Sequence, residues 1–520
     1  MSIRSTAFAM LVLATIAFGA ESFEDHGGPE LDVDGPVLAP IVHEKYFRAE
    51  RELFGYKPRY APRPVTFGPD NRPWIWTGLD LITLEDRGAW KGLGVTDTVK
   101  AKYTDLLGGI SATDPHIGFD ANGDMYIVAR APELRRPNIF RETPRRREDA
   151  FGFLHSTDRG RTWTFYETPP VRYHGRPFAR KLYLGAQRLE RLDGHNQLSG
   201  PPPMVEGRGR DLVLYVATRK PEGGLNPVQR IHVADVKWPI YGKGRNWITP
   251  THSGAGNVTA TFDGRTHVVW MAIQPLNERE EEDAKRFTEK YGLEGLCPVY
   301  AATYDHASGK LSERTYLGVT RRDNHNGPVI VADSKGYLHV VIGAHTANFF
   351  YLRSTEPNST ASFTEWEQLG PTRKTGYTYT AFVCDGDDNL HLVARNTNSG
   401  WFHLVYMRRK AGQSWEPHRR LVTPFRSGYC AWRQKLTVDR LGRLFLTYDY
   451  FPAHLRADEL EAYRKKWPGD KVGAKLVSGI QPGVRAHSPA MLISDDAGDS
   501  WRIALTEDFI AGMQRWREKK

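Results

Sequence analysis

Along most of the chain, short apolar stretches alternate with polar positions at a period of two, and a turn carrying Asp or Asn with Gly divides them into pairs. The pattern reads GPDNRPWIWT around Asp70, FDANGDMYIVAR from Phe119, EGRGRDLVLYVATR from Glu206 and TFDGRTHVVW from Thr261. It returns as VADSKGYLHVVIG from Val331, CDGDDNLHLVAR from Cys384 and VDRLGRLFLTYD from Val438. β-Branched and aromatic runs on either side of such a turn specify β-hairpins. Recurrence at intervals of roughly 50 to 70 residues predicts an all-β fold, a seven-bladed β-propeller of four-stranded antiparallel blades. The turn glycines Gly123, Gly264, Gly336 and Gly442 are unevenly spaced, so insertions separate the units.

A second repeat supports the same fold. Ser156, Asp158, Gly160 and Trp163 have a near copy in Ser494, Asp496, Gly498 and Trp501, both fitting S-x-D-x-G-x-x-W, the Asp-box. Its Asp accepts backbone N–H bonds of its own turn, its Gly takes a positive φ and its Trp packs beneath. The motif marks a fold; an Asp occupied in this way is not free for chemistry. Two insertions read as helices, a charged run over 277–291 and ADELEAYRKK over 457–466, each expected to lie solvated on the rim.

Residues 1–20 carry Arg4, an apolar core over 7–17 and the small residues Gly19 and Ala20. They read as a signal peptide too short to span a bilayer, and no later stretch reaches the ~20 apolar residues a membrane helix needs. Residues 21–65, rich in Pro, Gly and charge, read as an N-terminal arm, leaving 66–520 as one propeller domain. The expected location is outside the cell or in the periplasm. Three cysteines, Cys297, Cys384 and Cys430, exclude a disulfide scaffold. The net charge of +10 favours an anionic partner, and with export an anionic polysaccharide is expected rather than nucleic acid. The basic run over 133–147 is a polyanion contact or a solvated loop, and the protein is expected to be a monomer.

The candidate chemistry surrounds the stretch 323–354. Its hairpin, VIVA to LHVVI, is flanked by His325 on one side and His345 on the other; an antiparallel hairpin returns both to one end of the blade. In the next repeat Tyr379 stands just before the first strand and Arg395 just after the second. Equivalent positions of adjacent blades lie side by side, so His325, His345, Tyr379 and Arg395 are expected at one mouth. Asn324, Asn326, Tyr377, Tyr429 and Arg433 are the expected substrate contacts. His252, Cys297 and His306 are candidate ligands of a structural zinc or calcium, although no C-x-x-C or H-E-x-x-H spacing is present.

At these residues the sequence resembles the BNR-repeat propellers that include secreted ulvan lyases. The resemblance lies in D-x-H-N-x-P, D-x-x-G-x-L-H-V, the following His, and Y-x-x-S. It implies that His325 and His345 match that family's two active-site histidines, Tyr379 its catalytic tyrosine and Arg395 its carboxylate-binding arginine. Thr380 stands where the family commonly has proline, and Tyr429 and Arg433 do not align with its downstream contacts. The implied reaction is β-elimination in a uronic-acid polysaccharide of the sulfated, ulvan type, with no cofactor. The residue types suit it. An arginine fork, helped by a histidine, neutralises the carboxylate beside C5–H, and a Tyr/His pair transfers the protons once a nearby cation lowers the phenol pKa. Which of Tyr379 and His325 is the base stays open. The alternatives are a sialidase-like glycoside hydrolase, for which no Arg-Ile-Pro start is present, and a non-catalytic carbohydrate-binding propeller using Tyr377 and Trp401 as platforms.

Overall fold

The computed structural model describes residues 64–76, 81–86, 88–95, 98, 117–120, 122–131, 150–169, 182–184, 204–207, 211–235, 247–249, 258–292, 294–321, 327–343, 349–370, 376–396, 403–422, 431–450, 461, 465 and 488–520. Within them the strands form antiparallel sheets that follow the chain in order. Six have four strands each: residues 66–93, 117–167, 182–235, 329–369, 377–422 and 431–503. The expectation of seven four-stranded blades is thereby corrected to six. Residues 247–321 instead form a six-stranded sheet. In it Trp247–Thr249 and Thr259–Phe262 share one edge of Arg265–Ile273, while Lys310–Leu311 and Thr315–Arg321 share the far edge of Leu296–Asp305. The first and last rows are each interrupted, so the chain leaves an edge and rejoins it.

The hairpin turns form as the sequence pattern demands. Asp120, Asp333, Asp385 and Asp439 each accept two backbone N–H bonds through Oδ1, from the second and fourth residues after the Asp, at 2.9 to 3.0 Å. The turn glycine that follows has positive φ in Gly123, Gly336 and Gly442, a region open to Gly without steric cost. First and second strands such as Val329–Ala332, Tyr377–Cys384 and Leu390–Asn396 are buried on both faces. Each successive pair of sheets shares an apolar cluster, and the last sheet shares one with the first. These shared clusters close the sheets into a ring, and each fully buried Leu, Val or Phe in them contributes about 1.5 to 3 kcal/mol.

Among the described residues, two helices of fourteen residues brace this ring. Helix α1, Glu278–Tyr291, begins at a capping box between Asn277 and Glu280 and ends at Gly292, φ 62°. It is solvated as expected on one face only: Phe287 meets Phe350 and Trp366 at ring distances of 4.9 and 4.2 Å. The pattern over 457–466 lies outside the described residues except for Glu461 and Lys465, both helical. Helix α2, Thr506–Lys519, was not anticipated. It covers the seam between last and first sheets, where Phe509 stacks on Phe445, 5.2 Å between centres, and lies 6.2 Å from Phe67. Asn71 ties the seam further, donating to Asp439 Oδ2 at 3.1 Å and accepting from the Arg440 N–H at 2.8 Å. Among the described residues no helix is long and apolar enough to cross a membrane.

Candidate active site

The two ends of the blades differ in chemistry. One end carries the hairpin-turn aspartates and both Asp-boxes. Asp158 Oδ1 accepts from Ser156 Oγ and from the backbone of Arg161 and Thr162, at 2.8 to 3.0 Å. Asp496 repeats this with Ser494 and Ser500. In the last sheet Ser494 pairs with Leu444, just beyond the Asp439 turn, so box and turn share an end. Two buried relays sit at this end as well. His339 bridges Asp333 and Tyr351 at 3.2 and 2.7 Å, and His391 bridges Asp385 and Tyr406 at 2.9 and 2.7 Å. Burial raises the carboxyl pKa of Asp333 and of Asp385, but the facing histidine and backbone N–H donors outweigh it and hold both below the ordinary range. Every one of these aspartates is committed to the fold.

The opposite end is where first strands begin and second strands finish. There Val329 pairs with Val341, Thr378 with Arg395 and Trp432 with Asp449 in three consecutive sheets. Phe349 packs on Tyr377, 5.2 Å between ring centres, and Gln434 reaches the Tyr379 backbone, so the three sheets present the same end. The strand Tyr377–Cys384 is bulged: pairing passes from Thr378 opposite Arg395 directly to Ala381 opposite Val393. Tyr379 and Thr380 together therefore face the single residue Ala394, an arrangement that bends a strand and re-aims a side chain. Tyr379 takes φ +56°, uncommon for a bulky residue. Its ring lies under the Arg395 guanidinium, 4.4 Å from carbon to ring centre, within cation–π range. Tyr379 is 3% exposed and Arg395 is fully buried. A permanent positive charge is thus held against a phenol in a low-dielectric setting, where its field on nearby groups is strong.

The same interruption recurs in the neighbouring strand Ala431–Val438, between Trp432 and Lys435. Arg433 holds there the backbone position that Tyr379 holds in its own strand, six residues before the turn aspartate in each case. Gln434, fully buried, donates from Nε2 to the Tyr379 carbonyl. Sequence reading missed Gln434; the shared offset from Asp385 and Asp439 was the one available signal.

Tyr377, expected to contact substrate, instead packs in the apolar cluster between its sheet and the preceding one, with its hydroxyl against His418 Nδ1. It is a packing residue, because its neighbours Val329, Phe349 and Leu369 occupy the ring's surface. His325, His345, Asn324, Asn326, Tyr429 and Trp401 lie outside the described residues. The proposed metal set does not come together. Cys297 and His306 flank opposite ends of Leu296–Asp305, and nine residues at ~3.3 Å each separate them by about 30 Å. One ion cannot be shared over that span. His306 instead contacts Thr266 Oγ1 at 2.8 Å, and burial lowers its pKa despite Asp305. His252 lies outside the described residues, among which no group of three or more His, Cys, Asp and Glu is arranged to hold a metal. Among the described residues, Cys297 and Cys384 are buried and form no disulfide.

Residues 298–467 match the model of a BNR repeat-containing family member, which is the expected resemblance over less than half the chain. No curated protein matches the sequence. Among solved structures the chain is similar to a polysaccharide lyase, an ulvan lyase of a new family, with 16% identity and a TM-score of 0.32. That match covers 49% of this chain and 53% of the lyase, so it spans about half the lyase's length. An α-L-arabinanase from Penicillium chrysogenum shares 14% identity over 64% of this chain and 87% of its own, TM-score 0.36. An α-L-arabinofuranosidase from Fusarium graminearum shares 10% over 84% and 98%, TM-score 0.37.

Proposed function

We propose that this propeller is an exported polysaccharide lyase that cleaves a uronic-acid-containing anionic polysaccharide, of the sulfated ulvan type, by β-elimination. The observation that carries the reading is the Arg395 guanidinium stacked on the Tyr379 ring at the end of the sheets opposite the hairpin turns. In this reaction a base removes the C5 proton of the uronate, the C4–O bond breaks, and a C4=C5 double bond forms as the leaving oxygen takes up a proton. The C5 proton becomes acidic enough only when the adjacent carboxylate is neutralised. Arg395, aided by His345, is assigned that neutralisation. Tyr379 and His325 are assigned the two proton transfers. Val329 pairs with Val341, so the strand ends that lead toward His325 and His345 in the sequence are neighbours, in support of their shared task. Asn324, Asn326, Tyr429 and Arg433 are assigned to holding the polymer, Arg433 on the strength of its bulge position beside Tyr379.

A second reading, a carbohydrate-binding propeller without chemistry, is favoured by the burial of Tyr379 and Arg395, since catalysis requires the uronate to reach both. One experiment separates the two. Purified protein is incubated with a panel of uronate polysaccharides, and the ultraviolet absorbance of unsaturated uronate ends is followed. Elimination gives an absorbance that Tyr379→Phe and His325→Ala abolish. New reducing ends without absorbance identify a hydrolase, and binding without cleavage identifies the non-catalytic module; either result overturns the lyase.

A further inference from the structure

We propose that Gln434 is a positioning residue for Tyr379. From the bulge of the neighbouring sheet its side-chain amide holds the tyrosine backbone in the left-handed conformation that sets the ring against Arg395. The inference rests on the reading of Tyr379 as a proton-transfer group.

Three observations converge. The first concerns the backbone. Among the described residues the other non-glycine positions with positive φ are Asn71, Arg159, Asp263, Asn358, Asp388 and Ala497, and all of them sit in turns. Tyr379 alone adopts it inside a strand. Such a conformation costs on the order of 1 to 3 kcal/mol and persists only where surrounding structure enforces it. The second is the hydrogen bond. The bulge interrupts the ladder at Tyr379, and its carbonyl has a partner from outside the hairpin. Gln434 Nε2 is that partner, 55 positions along the chain and across a sheet boundary. The third is the burial of Gln434 itself. Placing a primary amide in a fully buried position is unfavourable unless it is hydrogen bonded, and with Oε1 unpartnered among the described residues, the Nε2 bond to Tyr379 is what offsets its burial. The two bulges thereby interlock: one presents Tyr379, and the other, beside Arg433, supplies the amide that fixes it.

The test uses Gln434→Met, which keeps the length and bulk of the side chain and removes the donor. Gln434→Glu accompanies it, close in shape and unable to donate when ionised. A crystal structure of Gln434→Met is expected to show Tyr379 out of the left-handed region and its ring off the Arg395 guanidinium. Kinetically, kcat is expected to fall ~10²-fold, the scale of a small misplacement of a reacting group, while KM moves by less than about threefold. In a Tyr379→Phe background the same change adds no further loss, because Gln434 acts only through that residue. A folded Gln434→Met with wild-type kcat, or with Tyr379 unmoved, overturns the inference. If the wild-type protein performs no elimination, the proposed function fails on its own assay, and the variant's crystal structure still decides whether Gln434 positions Tyr379.

Discussion

The Arg395 guanidinium carbon lies 4.4 Å from the centre of the Tyr379 ring because one strand carries an extra residue. Thr378 is the residue opposite Arg395. In an uninterrupted ladder Tyr379 would oppose Ala394, and alternation would send its side chain to the other face of the sheet from Arg395. The bulge removes that separation and turns a register position into a stacked pair.

Arg395→Lys keeps a positive charge but loses the planar fork that grips a carboxylate and lies flat on an aromatic ring. The expected outcome is a fall in kcat/KM of ~10²-fold, about 2.7 kcal/mol of transition-state stabilisation. Initial rates on the active uronate polymer measure it, with thermal melting to confirm that the variant is folded.

Stability should fall between neutral and weakly acidic pH through His267. Fully buried between Thr303 Oγ1 at 2.9 Å and Asn358 Oδ1 at 2.8 Å, it has a pKa lowered from 6.5 to about 4 by burial, with Arg265 adding to the effect. Between those values the unfolded chain binds a proton that the folded chain refuses. The contribution is therefore complete above the ordinary pKa and is lost as pH falls toward the folded one, amounting to ~3 kcal/mol. Urea denaturation at pH 7 and pH 4.5 measures the slope. His267→Gln should flatten it, leaving the part due to His403, whose pKa burial beside Arg420 and His418 lowers to about 3.

Asp158→Ala should destabilise the fold by about 1 to 3 kcal/mol, since it strips acceptors from a turn that depends on them. Under the proposed elimination, turnover by the folded protein should be unchanged, because the box lies at the end of the blades remote from Tyr379. Chemical denaturation and the elimination assay, run on the same preparation, check both halves.

Phe509→Ala should cost about 3 to 5 kcal/mol, the scale for deleting a buried aromatic ring. The ring joins Phe67 and Phe445 across the seam between first and last sheets. Loss of an urea midpoint without a change in slope would locate the effect in packing; an unchanged midpoint would show that α2 does not close the ring.

Much of this architecture is local and therefore readable from sequence. A hairpin is announced by its period of two and by an Asp that bonds residues two and four places on, so the turns at Asp120, Asp333, Asp385 and Asp439 were visible in advance. The Asp-boxes of Asp158 and Asp496 were visible for the same reason, and the charged run over 277–291 was legible as a helix. The pairing of Tyr379 with Arg395 was legible only as an alignment of repeats. The interrupted rows of the six-stranded sheet, the burial of Tyr377 and the distance between Cys297 and His306 were not legible at all.

The sequence by itself determined where strands begin, turn and end, because those choices rest on contacts within a few residues. Only the tertiary structure decided which face Tyr379 uses and what holds it there. A bulge belongs to the ladder between two strands rather than to either strand's pattern, and the bond from Gln434 crosses between blades, where no periodicity along the chain records it.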